Sequence, residues 1–271
     1  MKYAFLVGDG MGDYPLPELG HRTPLEAADT PNMDRIASCR IGCVRTIPEG
    51  MEPGSDVANL SLLGYDPGKY HTGRSPFEAA SMGVALAPGE VAFRMNLVTL
   101  EVHDEDRIMM VSHSAGDITT DEGAALVGAL AGAIEGPEIR TYPGVAYRHL
   151  LTWRGGPLEA ETLPPHDYLD RNIAGYLREG GPDPVPGLIR RSWDVLKDHP
   201  VNVERKRRGL KEANSIWLWG QGTAPDLPRF KDLHGVRGGV ISAVDLIRGI
   251  GAYAGFEAIH VEGATGYLDT N

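Results

Sequence analysis

The sequence predicts an α/β fold interrupted by an inserted α+β domain, on three observations. A short apolar run, Tyr3-Ala4-Phe5-Leu6-Val7, meets Gly8 and Asp9 at once, as a buried central parallel strand does at its carboxyl end. Strand–helix–strand spacing returns late in the chain, with a helix near Ser242 to Tyr253 and then Ala258-Ile259-His260-Val261 before Glu262-Gly263. Between them, from about Ser81 to Gly209, shorter alternating segments separated by Gly/Pro-rich turns take over. The division expected is therefore 1–80 with 210–271 for the α/β unit and 81–209 for the insertion.

Each element has its own signal. Thr30-Pro31-Asn32-Met33-Asp34 opens a helix, with Thr at the N-cap and Pro at the first helical position. A second helix begins at Ser55 or Asp56 and runs through Leu60, Leu62 and Leu63 to Gly64, which can end it in the left-handed conformation. In the insertion, Val91 to Val98 and Tyr147 to Thr152 read as strands, and the stretch Gly180 to Gly187 as a surface loop. Ser215-Ile216-Trp217-Leu218-Trp219 before Gly220 reads as the first domain resuming. The chain stops at Asp269-Thr270-Asn271, straight after a strand and its loop, so a C-terminally truncated α/β domain is expected.

Bulk properties narrow the partners. With 271 residues, 42% of them hydrophobic, a sizeable core can be buried. Lys and Arg total 26 against 37 Asp and Glu, a formal net charge of -11 that repels a polyanion, so no nucleic-acid partner is expected. The clustered Arg205-Lys206-Arg207-Arg208 reads as a solvated basic face. Cys39 and Cys43 make neither a disulfide framework nor a zinc pattern, which suits the cytoplasm. The longest smooth apolar stretch, Ala124 to Ile134, is well short of the ~20 residues that span a bilayer, so no membrane partner is expected either.

Two places carry chemistry. Gly8-Asp9-Gly10-Met11-Gly12-Asp13 is a poor dinucleotide loop, because its sixth position is Asp13 and Tyr14-Pro15-Leu16-Pro17 forbids the helix that must follow. Asp9 is then either a cation ligand at a strand end or the cap of a turn. Pro53-Gly54-Ser55-Asp56 puts a hydroxyl at a helix N-terminus, where backbone amides and the helix dipole favour an anion; Ser55 is either a nucleophile or an ordinary cap. The dipole alone would not ionise a serine, but a metal could.

Longer stretches choose between these readings. Thr30-Pro31-Asn32-Met33-Asp34-Arg35-Ile36-Ala37 resembles the early helix of the alkaline phosphatase superfamily. Residues Gly54 to Pro67, Thr72 to Ala79, Val91 to Asn96, His199 to Asn202, Asn214 to Gly222 and Gly263 to Asn271 resemble one branch of it, the archaeal-type cofactor-independent phosphoglycerate mutases. The resemblance implies an alkaline-phosphatase-like sheet domain split by an inserted substrate domain. It also implies two divalent metal ions, manganese first with magnesium, cobalt or zinc as alternatives, and a serine that becomes phosphorylated. On this match Ser55 is the catalytic nucleophile, and Asp9 and Ser55 contact one metal. The family's other metal ligands, Asp and His residues, lie beyond the segment matching Asp269-Thr270-Asn271. Arg74 and Arg94 are expected to bind substrate, and Arg148, His149, His166 and Arg205 are looser candidates, since Arg suits both carboxylate and phosphate. Ser114-Ala115-Gly116-Asp117 departs from the family by placing Asp117 where a basic residue belongs, so no phosphate contact is expected there.

The reaction implied is interconversion of 3- and 2-phosphoglycerate, a step of glycolysis and gluconeogenesis, on a small phosphorylated hydroxy acid. The inserted domain would close over the site on hinges near Ser81 and Gly209. Alternatives are homoserine kinase, a metal-dependent phosphomonoesterase, or a non-catalytic truncated chain that binds a phosphorylated ligand. The sequence sets no oligomeric state.

Overall fold

The computed structural model describes residues 2–178, 183–266 and 270. Short helices follow one another in the first part: α1 (Pro24–Ala27), α2 (Pro31–Ala37), α3 (Ser55–Leu62), α4 (Pro67–Tyr70) and α5 (Ser75–Ser81). Thr30 is the N-cap of α2 and Pro31 its first residue, as expected, with the Thr30 hydroxyl donating to Asp34 Oδ1 at 3.0 Å in place of a cap bond to the backbone. α3 ends where Gly64 turns left-handed (φ 79°), and the amides of Gly64 and Tyr65 close on the carbonyls of Ser61 and Leu60.

The insertion is built on an antiparallel sheet of β1 (Glu90–Val102), β2 (Ile108–Ser112), β3 (Ile139–Tyr142), β4 (Arg148–Arg154) and β5 (Ser215–Gly222), with α6 (Thr120–Ile134), α7 (Val185–Leu196) and α8 (Pro200–Arg207) beside it. The strand order is β2-β1-β4-β3, and β5 also pairs with β1. β5 therefore belongs to the antiparallel sheet and does not resume the α/β unit, as its sequence had suggested. Its apolar run is explained by burial on both faces, a signature that parallel and covered antiparallel strands share. The Gly180–Gly187 loop is also shortened: residues 179–182 lie outside the described residues, but Val185, Pro186 and Gly187 open α7, where Pro184 and Pro186 favour the start of a helix.

β1 organises the molecule through its period of two. Val91, Phe93, Met95 and Leu97 point into the main core with α6 and α7, whereas Ala92 joins Ala79 of α5 in a second cluster. Arg94 and Asn96 share the parity of Ala92 and so face α5. The register pairs Asn96 with Arg148 on β4, which brings Arg148 diagonally beside Arg94 on that same face.

The chain then runs through α9 (Phe230–His234), β6 (Gly239–Val240), α10 (Asp245–Tyr253) and β7 (Glu257–Ala258), with β6 and β7 parallel. α10 crosses α5 in backbone contact: a Cβ on Gly249 would lie 1.7 Å from the carbonyl oxygen of Phe77. Leu60, Phe77, Leu246 and Ile250 fill that junction. Tyr3–Val7, expected as a central strand, joins no ladder among the described residues, and Leu6 is 87% exposed. Apolar composition makes a segment fit for a sheet but cannot supply the neighbour; the two-residue β6–β7 ladder offers little edge to pair with. Phe5 and Val7 instead turn towards the residues of β6 across a cavity.

Candidate functional site

Ser55 is the first residue of α3. Gly54 before it is extended and offers no side-chain cap, while within the first turn the Val57 amide donates to Asp56 Oδ1 at 3.1 Å. The Ser55 hydroxyl donates to Asp9 Oδ2 at 3.1 Å across 46 residues of sequence, so the two residues singled out from separate motifs meet in space. Asn59 Nδ2 donates to the Ser55 carbonyl at 2.7 Å, and Asp56 Oδ2 lies 2.7 Å from His71 Nε2. Burial pushes the Asp56 carboxyl up, but the hydrogen bond and charge of His71, with the Val57 amide, outweigh it and hold Asp56 below the usual carboxylate range. Asp56 stays ionised and pins the turn that carries Ser55.

A cavity of about 570 Å³ opens beside this pair, walled by Phe5, Val7, Asp9, Ser55, Asn59 and Arg74 on one side and by β6 and the start of α10 on the other. A second cavity, about 410 Å³, lies between α5, the loop entering β4 and the start of α10. Arg74, Glu78, Arg94, Arg148 and His149 line it. Arg74 is common to both cavities, so the serine and the arginine-lined space share one cationic wall.

Arg94 is 7% exposed; its Nη1 donates to Glu78 Oε1 at 2.6 Å and its Nε to Asn96 Oδ1 at 3.2 Å. Burial weakens the charged form of Arg94, Glu78 strengthens it, and Arg74 and Arg148 weaken it again; an arginine remains cationic even so. His149 is 2% exposed, and burial pushes its imidazole down to about 4, so it stands neutral with Nδ1 accepting from the Gly144 amide at 3.0 Å.

Arg74, Arg94 and Arg148 thus come together; His149 borders the same cavity, but its pairing with Met95 turns its imidazole to Gly123 of α6, and His166 and Arg205 do not line the cavity. His166 stands edge-on to Trp219 at 5.5 Å and lines neither cavity. Arg205 is 2% exposed and spends its guanidinium on Glu122 and on the carbonyls of Lys211 and Ala115, so it ties α8 to α6 and to the loop after β2. Glu78, Asn96 and the Asp56–His71 pair were not foreseen as site residues. Glu78 could have been: it stands four residues after Arg74, the spacing of an ion pair along a helix.

No group of three or more His, Cys, Asp or Glu that could hold a metal occurs among the described residues. Asp9 and Ser55 offer two hard oxygen donors, suited in type to manganese or magnesium but too few to fill their coordination. Among the described residues no helix is long and apolar enough to cross a membrane.

The family model described as 2,3-bisphosphoglycerate-independent phosphoglycerate mutase matches residues 37–202. Over 275 residues the chain is 52% identical to the protein of that name from Methanosarcina acetivorans, covering 100% of this chain and 68% of the relative. It is also 52% identical over 273 residues to a probable enzyme of the same name from Geobacter sulfurreducens, with the same coverage. The solved structure of the PH0037 protein from Pyrococcus horikoshii superposes with a TM-score of 0.72 at 31% identity, over 97% of this chain and 62% of that one. The chain spans about two thirds of the length of these relatives. At such identity over its whole length, the chain belongs to the family of 2,3-bisphosphoglycerate-independent phosphoglycerate mutases, an isomerase family.

Proposed function

We propose that Ser55 carries the phosphoryl group between the 3- and 2-hydroxyls of glycerate. The contact between Ser55 Oγ and Asp9 Oδ2 at an uncapped helix start is the observation that carries this reading. Ser55 Oγ bonds to phosphorus as the bond from phosphorus to the 3-oxygen of 3-phosphoglycerate breaks, the serine proton passing to the departing 3-oxygen, and in the second transfer the 2-hydroxyl proton returns to Ser55 Oγ. The glycerate left behind sits in the arginine-lined cavity, its carboxylate held by Arg74, Arg94 and Arg148, and turns to present its 2-hydroxyl. That hydroxyl then takes the group from Ser55 and yields 2-phosphoglycerate. Asp9 and Ser55 would be two of the ligands of a divalent metal, manganese being the first to test, which when bound lowers the cost of the serine alkoxide.

Separating a mutase from a phosphatase requires water to be kept out between the half-reactions. We place the moving joins outside the segments that the structure ties together. Thr72 Oγ1 donates to the Thr223 carbonyl and Ser75 Oγ to the Gly220 carbonyl, each at 2.6 Å, so residues 72–75 travel with the end of β5. The inserted unit on this reading runs to Gly222 and meets a soluble phosphorylated hydroxy acid in the cytoplasm, as a step of glycolysis and gluconeogenesis.

Phosphorus NMR of 3-phosphoglycerate with the full native gene product and manganese, without 2,3-bisphosphoglycerate, tests the proposal. Expected is 2-phosphoglycerate, lost in Ser55→Ala. Free phosphate alone would make the chain a phosphomonoesterase, and ATP consumption strictly dependent on homoserine would make it a kinase.

A further inference from the structure

Building on that shuttle, we propose that Glu78 is a positioning residue: it aims Arg74 and Arg94 at one cavity and so retains the dephosphorylated hydroxy acid between the two half-reactions. A single oxygen, Glu78 Oε1, accepts from Arg74 Nε at 2.9 Å and from Arg94 Nη1 at 2.6 Å. The two arginines come from different parts of the chain, Arg74 from the residue before α5 and Arg94 from the middle of β1. The Ser75 hydroxyl, which accepts from the Arg94 amide at 2.6 Å and donates to the Gly220 carbonyl, sets α5 against the sheet, and the shared carboxylate sets the two guanidinium groups against each other.

Three guanidinium groups on one cavity wall repel one another unless anions stand among them. Two carboxylates are present. Asp245 is engaged by the Ser81 hydroxyl at 3.1 Å, leaving Glu78 as the one set between Arg74 and Arg94. Arg94 is boxed on further sides by Asn96 and by the face of Trp219 at 5.0 Å, so it is held rigidly. Arg74 also stacks over Trp219, at 5.7 Å. Among the described residues Arg94 Nη2 and the terminal nitrogens of Arg74 have no hydrogen-bond partner, and Arg148 Nε is buried without one. Arg74, Arg94 and Arg148 line the same cavity, and a small carboxylate fits the planar fork of a guanidinium.

A double-mutant cycle on the native full-length protein with manganese tests whether Glu78 acts through Arg94. Glu78→Gln is expected to lower kcat/KM for 3-phosphoglycerate at least tenfold and to raise free phosphate released per 2-phosphoglycerate at least threefold. Phosphoserine formation should continue. In an Arg94→Met background the loss caused by the same substitution should be at least threefold smaller, the Arg74 contact being all that Glu78 then has to hold. Equal losses in both backgrounds, or an unchanged phosphate yield, overturn the inference. If Glu78→Gln does not fold, Glu78→Asp, which keeps the charge but draws the oxygen back, enters the same cycle. Should the wild type form no phosphoserine, the shuttle reading fails by itself, and calorimetric titration with D-glycerate decides on Glu78: tenfold weaker binding in the variant supports its role, and equal binding ends it.

Discussion

Replacing His149 by Asn should flatten the acid limb of the protein's stability curve. The imidazole is 2% exposed on β4 and is pushed by burial down to about 4, whereas an unfolded histidine titrates near 6.5. A folded-state value below the unfolded one means stability that is present in full above about pH 6.5 and is lost as pH falls towards 4. The gap of about 2.5, at ~1.36 kcal/mol per unit, is worth about 3 kcal/mol in full. Between pH 7.5 and pH 5 the wild type should lose about 2 kcal/mol of it, because the unfolded histidine is then nearly all protonated and the folded one hardly at all. Asn keeps an acceptor for the Gly144 amide without a titrating group. Urea unfolding of wild type and variant at pH 7.5, 6 and 5 reads the difference, since every other titrating group contributes to both. Stability curves that stay parallel across that range would refute the assignment of a buried neutral imidazole.

Gly249→Ala should destabilise the protein by about 2 kcal/mol or more, because its Cβ meets the Phe77 carbonyl and α10 cannot shift without opening the junction with α5; thermal melting reads it, and an unchanged midpoint would contradict the crossing. Arg205→Met should cost about 3 kcal/mol by leaving the Ala115 and Lys211 carbonyls and Glu122 without their donor, while D-glycerate affinity stays within twofold; a selective loss of binding would return Arg205 to the site. Asp56→Asn should lower the rate of Ser55 phosphorylation at least tenfold with little change in D-glycerate binding, since the His71 contact holds the α3 turn and lines no part of the arginine cavity; rapid-quench phosphoserine assays decide it.

Local signals marked Asp9 and Ser55 as candidates, a glycine-flanked Asp9 after an apolar run and Ser55 at a helix start marked by Gly54. They left each as ligand or nucleophile on one hand and ordinary cap on the other, and only the longer family-like stretches chose between them. What joined them was not legible. Their hydrogen bond spans 46 residues, and neither motif contains the other's position. The arginines divide for a different reason. Arg94 and Arg205 are both buried charges, and sequence alone cannot say which neighbour each finds. Arg94 lies on the α5 side of β1 by parity with Ala92, while Arg205 lies in α8 against Glu122. β5 misled because Ile216 to Trp219 are buried at every position, which erases the alternation that would separate an antiparallel strand from a parallel one.

Tyr3–Val7 shows the same limit from the opposite side: strand-forming residues join no ladder among the described residues and leave Leu6 in solvent, because pairing is a property of two segments and not of one. The arginine cavity is subject to that rule as well. Its cations arrive from the start of α5, from β1 and from β4, and the register of β1 against β4, the Ser75 bond to the Arg94 amide and the Glu78 contact make them neighbours. A shuttle needs its phosphoryl carrier and its acid-holding groups to stay in register while the acid turns. Arg74 bounds both cavities and shares the carboxylate of Glu78 with Arg94, so a shift of the inserted sheet relative to α5 would disturb both half-sites together.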